Sequence, residues 1–286
     1  MNNRKRKNLI ITFAVIVIIM LFAVSVVFLQ PFFIRAYRHF VPPETTVAPV
    51  RTVRVTFPEG FTVYDISQRL EEKGVCNGSD FIAASNSPSF VDEIWSFENE
   101  DDRAYLLEGY LFPDTYEFYF DEKPQKALNK LLINFKSKFN DEFKLRADEL
   151  GYSTDDIVTI ASIVQQEANT KEEMGKVSSV IHNRLNSYKY PGIQCDVTIV
   201  YVNQYITPFF EPDEVEQFAK LYNTYRFRGL PAGPITNPGL DAIKAALYPD
   251  DTDYYFFVTD KSGNYYYAET FSAHNKNCKT AGVTIN

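Results

Sequence analysis

A continuous apolar run of 21 residues, from Leu9 to Leu29, limits what the N-terminal part of this chain can fold into. Only Thr12 and Ser25 place polar side chains in it. As a helix rising about 1.5 Å per residue, the run would span about 31 Å, close to the hydrocarbon thickness of about 30 Å. The sequence therefore predicts a transmembrane helix over residues 9–29 that contacts the lipid bilayer.

Basic residues before this run indicate its orientation. Four successive basic side chains occupy positions 4–7, whereas the first acidic residue of the chain is Glu44. Because Lys and Arg are retained on the cytoplasmic side, residues 1–8 are predicted to be cytoplasmic and the chain after residue 35 extracytoplasmic. A cleaved signal peptide would have a shorter apolar core of about 7–15 residues, so a single-pass anchor in the cell membrane is favoured.

The rest of the chain is acidic. The 29 Lys and Arg residues include the four at positions 4–7, so residues 8–286 carry 25 basic and 37 acidic side chains, a balance of −12. Affinity for nucleic acid depends on neutralising phosphates, and we therefore expect no nucleic-acid partner. The three cysteines have no paired spacing, and the three histidines form no HExxH motif, so no disulfide framework or metal site is expected.

Residues 30–50 are predicted to be a short extended spacer, and residues 51–102 a small module. Alternation of apolar and polar residues over 53–57 indicates a strand, and Thr62 with Asp65 indicates the start of a helix. A second short helix is predicted to open at Ser79. A strand followed by two short helices resembles a LysM-type module, a cell-wall glycan binder; the alternative is a packing subdomain without a ligand.

Residues 103–286 are predicted to form a larger domain of mixed helix and strand, so the fold class is α+β. A helical periodicity of Leu and Phe runs through 124–150 and indicates core packing. Two β-rich runs over 254–270, on either side of a turn at 260–263, predict a hairpin near the C-terminus.

One predicted helix places a carboxyl at the edge of an apolar face. Ser153 with Asp156 indicates its start, and the apolar stripe continues to Ala168. At about 100° per residue, Glu167 lies on the flank of that stripe. Burial would raise the pKa of Glu167 towards that of a general acid. The alternative is an ion pair with a basic residue such as Arg184 at the edge of the core.

Six segments of the chain carry a resemblance to a known family, and they occur in the order of that family. The segments are 106–118 (LLEGYLFPDTYEF), 161–168 (ASIVQQEA), 177–186 (VSSVIHNRLN), 193–201 (IQCDVTIVY), 222–249 and 257–275. Together they resemble the YceG-like family of endolytic murein transglycosylases over about residues 50–280. Family members typically read ASIVEKEA with two glutamates; Gln165 stands at the first here, which leaves Glu167 as the catalytic acid. If the first glutamate were the essential one, the chain would be inactive.

The resemblance implies a membrane-anchored enzyme that cleaves the bond between N-acetylmuramic acid and N-acetylglucosamine in nascent peptidoglycan strands. Glu167 would act first as acid and then as base, leaving 1,6-anhydro ends without a metal or organic cofactor. It also implies partners among the peptidoglycan synthases of elongation or division.

Eight further residues are candidates for the substrate cleft, with less support than Glu167. Glu108 either lines the cleft or is a buried hydrogen-bonded residue, and His274 is either structural or holds a loop of the site. Gln194 and Asp196 are read as sugar contacts in a β-like stretch. The other candidates, with a carboxyl, an amide, a hydroxyl and an aromatic face suited to sugars, are Asp114, Asn223, Thr224 and Tyr225.

Two other functions stay open from the sequence. One is a hydrolytic muramidase, in which Asp196, Asp114 or Glu108 supplies a second carboxyl beside Glu167. The other is a wall-binding scaffold without enzymatic activity, in which residues 51–100 hold glycan and the rest recruits synthases.

Overall fold

The structure is a computed structural model of the 286-residue chain. Its internal contacts divide it into two compact units, Met1–Val50 and Arg51–Asn286. The parts of the chain that the structure describes are residues 3–40, 51–87, 102–190 and 192–284.

The described part of the first unit is one helix, α1 (Asn3–Phe40). Its segment Arg6–Tyr37 is long and apolar enough to cross a membrane, and its most apolar stretch is not buried by other parts of the chain. The prediction of an apolar helix over 9–29 is therefore confirmed, whereas its cytoplasmic N-terminus stays a prediction. Residues 30–40 continue α1, with Pro31 inside the helix, instead of beginning an extended spacer. Residues 41–50 lie outside the described residues.

The second unit begins with a two-stranded antiparallel sheet of β1 (Thr52–Thr56) and β2 (Thr115–Tyr119). The alternation that predicted β1 is confirmed, since Val55 faces the core and is buried. Val55 pairs with Tyr116, so the sheet crosses the boundary predicted after residue 102. The division into a module at 51–102 and a domain at 103–286 stays a prediction.

Two short helices, α2 (Val63–Glu72) and α3 (Gly78–Ser85), follow β1 as predicted. Thr62 and Asp65 form the expected reciprocal cap at the start of α2. The start of α3 lies one residue earlier than predicted, because the Asn77 side chain caps it. Glycan binding by a LysM-like module stays a prediction.

The helical stretch predicted at 124–150 is divided into α4 (Pro124–Lys138) and α5 (Asp141–Leu150). The break falls at Phe139, whose ψ of 75° is not helical. The Asn140 side chain then accepts a hydrogen bond from the backbone N–H of Phe143 and starts a new helix. The apolar faces of both helices are buried, as the periodicity predicts, and α3 packs against α4.

The remaining elements surround one central helix, α6 (Thr154–Glu167). The prediction of a β-like stretch around Asp196 is wrong: Asp196 is the first residue of α8, where a negative charge suits the helix N-terminus. The C-terminal hairpin is confirmed as β3 and β4. These elements are α7 (Lys171–Leu185), α8 (Asp196–Tyr201), a π-helical turn (Val202–Ile206), α9 (Pro212–Tyr222), α10 (Leu240–Leu247), β3 (Phe256–Thr259), β4 (Tyr265–Ala268) and α11 (Phe271–Ala281).

Helix α6 forms the centre of the core. Ser153 and Asp156 form the reciprocal cap that the sequence predicts. Every residue from Ile157 to Val164 is buried, because α5, α7, α8 and α10 pack against different sides of the helix. Such packing fixes the helix axis, and it thereby fixes the position of Glu167 at its C-terminal end.

Candidate active site

Glu167 is the last residue of α6, and the chain leaves the helix immediately after it. Ala168 is extended, with φ −99° and ψ 117°. The Tyr265 hydroxyl donates a hydrogen bond to the carbonyl oxygen of Glu167 (2.6 Å) and accepts one from the backbone N–H of Asn169 (2.9 Å). Strand β4 therefore holds the end of α6 and, with it, the backbone that carries the carboxyl.

The Glu167 carboxyl faces the start of α8. Burial and the negative charge of Asp196 raise the pKa of Glu167 to about 7, although hydrogen bonds from the Val197 backbone N–H and the Cys195 side chain lower it. The residue as a whole is half-buried, so part of its surface remains open to solvent. A carboxyl of this pKa holds its proton for a useful fraction of the time near neutral pH, as a general acid requires.

Arg184, the alternative ion-pair partner, points elsewhere. Its Nε donates to the carbonyl oxygen of Gly192 (2.6 Å), its Nη1 donates to that of Tyr255 (3.0 Å), and its Nη2 donates to the Gln194 side chain. Across the parts of the chain that the structure describes, no ion pair involves Glu167. The guanidinium instead fixes the loop before α8.

Four of the predicted residues lie together around the start of α8. The Tyr225 hydroxyl donates to Asp196 Oδ1 (2.7 Å), and both side chains are exposed. Thr224 is fully buried, and its Oγ1 accepts a hydrogen bond from the backbone N–H of Cys195 (3.1 Å). Asn223 Oδ1 accepts one from the backbone N–H of Tyr225 (3.1 Å). Asp196 and Tyr225 are therefore available to a ligand, whereas Thr224 positions the loop.

A cleft of about 420 Å³ opens beside this group. Gln194 and Tyr225 lie in its wall, together with Arg184. Gln194 has a φ of 55°, a left-handed conformation that non-glycine residues seldom adopt, and its side chain accepts the hydrogen bond from Arg184. Tyr225 thus connects the wall of the cleft to Asp196, whose charge acts on Glu167.

Glu108 lies in the interior, with 1% of its surface exposed. Its carboxylate accepts hydrogen bonds from the Val63 backbone N–H (3.0 Å), Asn237 Nδ2 (2.9 Å) and the Tyr201 hydroxyl (3.4 Å). Burial raises its pKa to about 8, although the hydrogen bond from Val63 lowers it. This placement favours a buried hydrogen-bonded role over a place in the cleft, because the carboxyl joins the start of α2 to the loop before α10.

The other two predicted residues lie apart from the start of α8. Asp114 is exposed beside β2, and its Oδ2 accepts a hydrogen bond from Asn134 of α4 (3.1 Å). The His274 ring stacks on Phe256, with 5.1 Å between ring centroids. Since Phe256 lines the cleft, His274 supports a wall of the cleft from behind.

Gln165, the position at which family members typically carry a glutamate, faces the start of α10. Its Oε1 accepts a hydrogen bond from the backbone N–H of Gly239 (3.0 Å). A neutral amide fills this role with its carbonyl oxygen, and no second ionised carboxylate is placed on α6 beside Glu167.

Sequence reasoning missed the part played by Cys195 and Val197. The thiol of Cys195 is buried, which raises its pKa and keeps it protonated as a donor to Glu167. Their position beside Asp196 is visible in the sequence, but their contact with Glu167 depends on how α6 and α8 pack. Within the described ranges, no three His, Cys, Asp or Glu side chains gather in a group that could hold a metal ion.

A family model described as the YceG-like family matches residues 42–280, more than half of the chain. The chain belongs to the YceG-like family. The resemblance of the six sequence segments is thereby confirmed, and the family match covers all of the residues discussed at the site.

Curated relatives of this YceG-like chain share one description. The chain is 28% identical over 233 residues to the endolytic murein transglycosylase of Bacillus subtilis (strain 168), and the match covers 78% of this chain and 63% of the relative. It is 27% identical over 243 residues to the protein of the same name from Streptococcus pneumoniae serotype 2, covering 78% of this chain and 43% of the relative. The chain thus spans less than two thirds of the length of either relative.

A solved structure supports the fold. The crystal structure of a YceG-like protein, lmo1499, from Listeria monocytogenes matches with a TM-score of 0.69 and 28% identity. The match covers 81% of this chain and 76% of the Listeria chain. The mixed α and β architecture is therefore shared with that YceG-like protein.

Proposed function

We propose that this chain is a membrane-anchored lytic transglycosylase that cuts peptidoglycan strands internally, with Glu167 as its catalytic carboxyl. The observation that carries the proposal is a half-buried glutamate of pKa about 7 whose neighbour Asp196 binds Tyr225 in the wall of a cleft. The names of the relatives from Bacillus subtilis and Streptococcus pneumoniae point to the same activity.

In the first step, protonated Glu167 donates its proton to the glycosidic oxygen between N-acetylmuramic acid and N-acetylglucosamine. The bond from the muramyl C1 to that oxygen breaks, and positive charge develops at C1. Asp196 lies at the start of α8 near Glu167. Its negative carboxylate would stabilise the positive charge at C1.

In the second step, the Glu167 carboxylate takes the proton of the C6 hydroxyl of the same muramyl residue. The C6 oxygen forms a bond to C1, which gives a 1,6-anhydro end and returns Glu167 to its protonated form. No water is consumed, and one carboxyl suffices because the attacking hydroxyl belongs to the substrate. The hydrogen bonds from Val197 and Cys195 stabilise the carboxylate formed between the two steps.

We further propose that the apolar helix anchors this activity at a membrane. Residues 9–29 anchor the chain, residues 1–8 are cytoplasmic, and the compact unit Arg51–Asn286 faces the wall. A tether raises the effective concentration of the site towards strands made beside the bilayer. Such strands are produced by synthases of elongation or division, which we propose as partners.

Digestion of purified strands by the detergent-solubilised full chain tests the activity. We expect products that are lighter by one water than hydrolysis products and carry anhydro ends, as measured by mass spectrometry. We expect the Glu167→Gln variant to give no product and to retain the circular-dichroism spectrum of the parent. A scaffold without activity would instead yield no product from either protein.

Hydrolysis is the second candidate function, and the position of Asp196 favours it over a scaffold without activity. Asp196 is exposed, and its charge acts on Glu167, so it could activate a water molecule as a second carboxyl. Glu108 and Asp114 are less suited to that role, because the first is buried and the second lies beside β2. Hydrolysis would be established if the parent gave products with reducing ends instead of anhydro ends and the Asp196→Asn variant no longer formed them.

A further inference from the structure

The cleft beside the start of α8 collects positive charge in an otherwise acidic chain. Four basic side chains line it: Arg184, Lys189, Arg226 and Arg228. Its described lining contains no Asp or Glu. The chain as a whole carries a net charge of −8, so a cluster of this kind does not follow from composition. An electropositive cleft of about 420 Å³ attracts an anionic ligand.

Three of these cations are available to a ligand. Lys189, Arg226 and Arg228 are exposed, and none of them takes part in an ion pair within the described residues. The Lys189 Nζ lies 5.0 Å from the centroid of the Tyr190 ring, which also lines the cleft. Aromatic rings beside cations suit a ligand that combines an acidic group with apolar carbon.

The wall of this cleft is built on fixed groups. Arg184 is buried, with its guanidinium 5.2 Å from the centroid of the Phe256 ring, and it donates hydrogen bonds to three partners. Gly192 and Gly229 form a parallel β-bridge that joins the two loops of the wall. The cations are thus presented on loops that hydrogen bonds hold in place, which lowers the entropic cost of binding.

Tyr225 connects the cleft to Asp196, the neighbour of the catalytic carboxyl that we propose. This side chain lines the cleft, and its hydroxyl donates to Asp196, whose charge acts on Glu167. A sugar held at Glu167 can therefore extend a substituent into the basic cleft without leaving the surface of the same site.

We propose that the basic cleft binds a carboxylate of the peptide stem on muramic acid and so selects peptide-bearing strands. This inference rests on the proposed function. Guanidinium groups bind carboxylates through paired, charge-assisted hydrogen bonds. An internal cut can be made at any muramyl residue. In an unprocessed strand, each muramyl residue carries a peptide stem with a carboxylate. A phosphate at a strand end has the same charge, but it occurs once per strand.

The test measures kcat/KM of the full chain in detergent on two substrates that differ only in their stems. One is a set of strands with peptides. The other is the same set stripped of peptides by an amidase, with the lactyl carboxylates that the amidase exposes converted to methyl amides so that no new anion is introduced. We expect kcat/KM to be about tenfold higher on the peptide-bearing strands, with most of the difference in KM. Equal values on the two substrates would overturn the proposal.

Variants locate the effect in the cleft. Arg226→Gln with Arg228→Gln should lower kcat/KM about tenfold on peptide-bearing strands and leave it unchanged on stripped strands. Lys123→Gln with Lys126→Gln removes the same charge from the exposed start of α4 and should change neither value. An equal loss on both substrates, or the same loss in the Lys pair, would contradict the assignment.

A third arm separates carboxylate from phosphate. Inorganic pyrophosphate and a free tripeptide with an acidic residue are compared as competitors of peptide-bearing strands. Inhibition by the tripeptide that is lost in the Arg226, Arg228 double variant supports the stem, whereas inhibition by pyrophosphate alone overturns it. If the parent cleaved neither substrate, the proposed function itself would fail; cleavage of both with equal kcat/KM would refute only the cleft assignment.

Discussion

Among the glutamates with raised pKa values, Glu108 and Glu167 have different surroundings. Glu108 is buried in the interior, where three donors surround its carboxyl, and burial raises its pKa to about 8. Glu167 is half-buried at the end of α6, where burial and the charge of Asp196 raise its pKa to about 7. The interior carboxyl has the larger shift, yet of the two residues only Glu167 keeps a substantial part of its surface open to solvent.

The comparison teaches that a perturbed pKa identifies a candidate, and that access decides its role. The hydrogen bonds of Glu108 join segments that are distant in sequence, namely the start of α2 and the loop before α10. The hydrogen bonds of Glu167 come from the start of α8 and leave part of the side chain open to solvent. We therefore assign stability to the first carboxyl and chemistry to the second.

The largest expected effect is on activity. Glu167→Gln should lower kcat by about 10³-fold, since a positioned general acid contributes about 10²–10⁴-fold. Release of anhydro-ended products over time measures this loss. Glu108→Gln is the matched variant, because it makes the same chemical change in the interior; a comparable loss in that variant without unfolding would break the comparison.

The next effect is on the free energy of unfolding. Glu108→Ala should lower it by about 3 kcal/mol, because the Val63 N–H and the Asn237 amide lose a buried acceptor. Urea denaturation followed by fluorescence measures the change. Glu167→Ala should cost less than about 1 kcal/mol, because water can replace the carboxyl at a partly exposed position. A larger cost for Glu167 than for Glu108 would reverse the two assignments.

The pH dependence of stability should distinguish the same two carboxyls. The pKa of Glu108 is raised on folding, so the protonated form is favoured in the folded state. Its contribution to stability is fully present below about pH 4.5 and is lost as pH rises through about 8. Thermal unfolding at several pH values should show this loss in the parent. The loss should be reduced in Glu108→Gln, and an unchanged profile there would contradict burial as its cause.

The smallest effects are shifts of the alkaline limb of the pH–activity profile. Activity should decrease as the pH rises through about 7, where Glu167 loses its proton. Asp196→Asn removes a charge that raises this pKa, so its limb should move to lower pH. Cys195→Ala removes a donor that lowers the pKa, so its limb should move to higher pH. Shifts in the same direction would show that the two neighbours do not act through Glu167.

Local sequence signals predicted much of the fold. The caps at Thr62 and Ser153, the strand β1 and the hairpin of β3 and β4 are confirmed, because each depends on residues close together in the chain. The helical periodicity over 124–150 is confirmed, but it does not show that a cap at Asn140 divides the stretch into two helices. The β-like stretch at Asp196 was wrong because β-branched residues fitted either element.

The site was predicted less completely than the fold. The flank of an apolar stripe made Glu167 a candidate, and the family resemblance singled it out as the catalytic acid, a role that stays a prediction. Asp196 and Tyr225 were candidates from their polar types. The buried setting of Glu108, the thiol contact of Cys195 and the gathering of Arg226 with Arg228 depend on segments far apart in sequence. No local pattern records which of these side chains meet.

The sequence by itself determined an apolar N-terminal helix, membership of the YceG-like family and the helix on which Glu167 lies, because hydrophobic period and capping are properties of neighbouring residues. Only the tertiary structure decided which of Glu108 and Glu167 keeps contact with solvent and which one the core encloses. Burial and access arise when α6, α8 and the hairpin pack together, and desolvation of a carboxyl depends on everything that surrounds it.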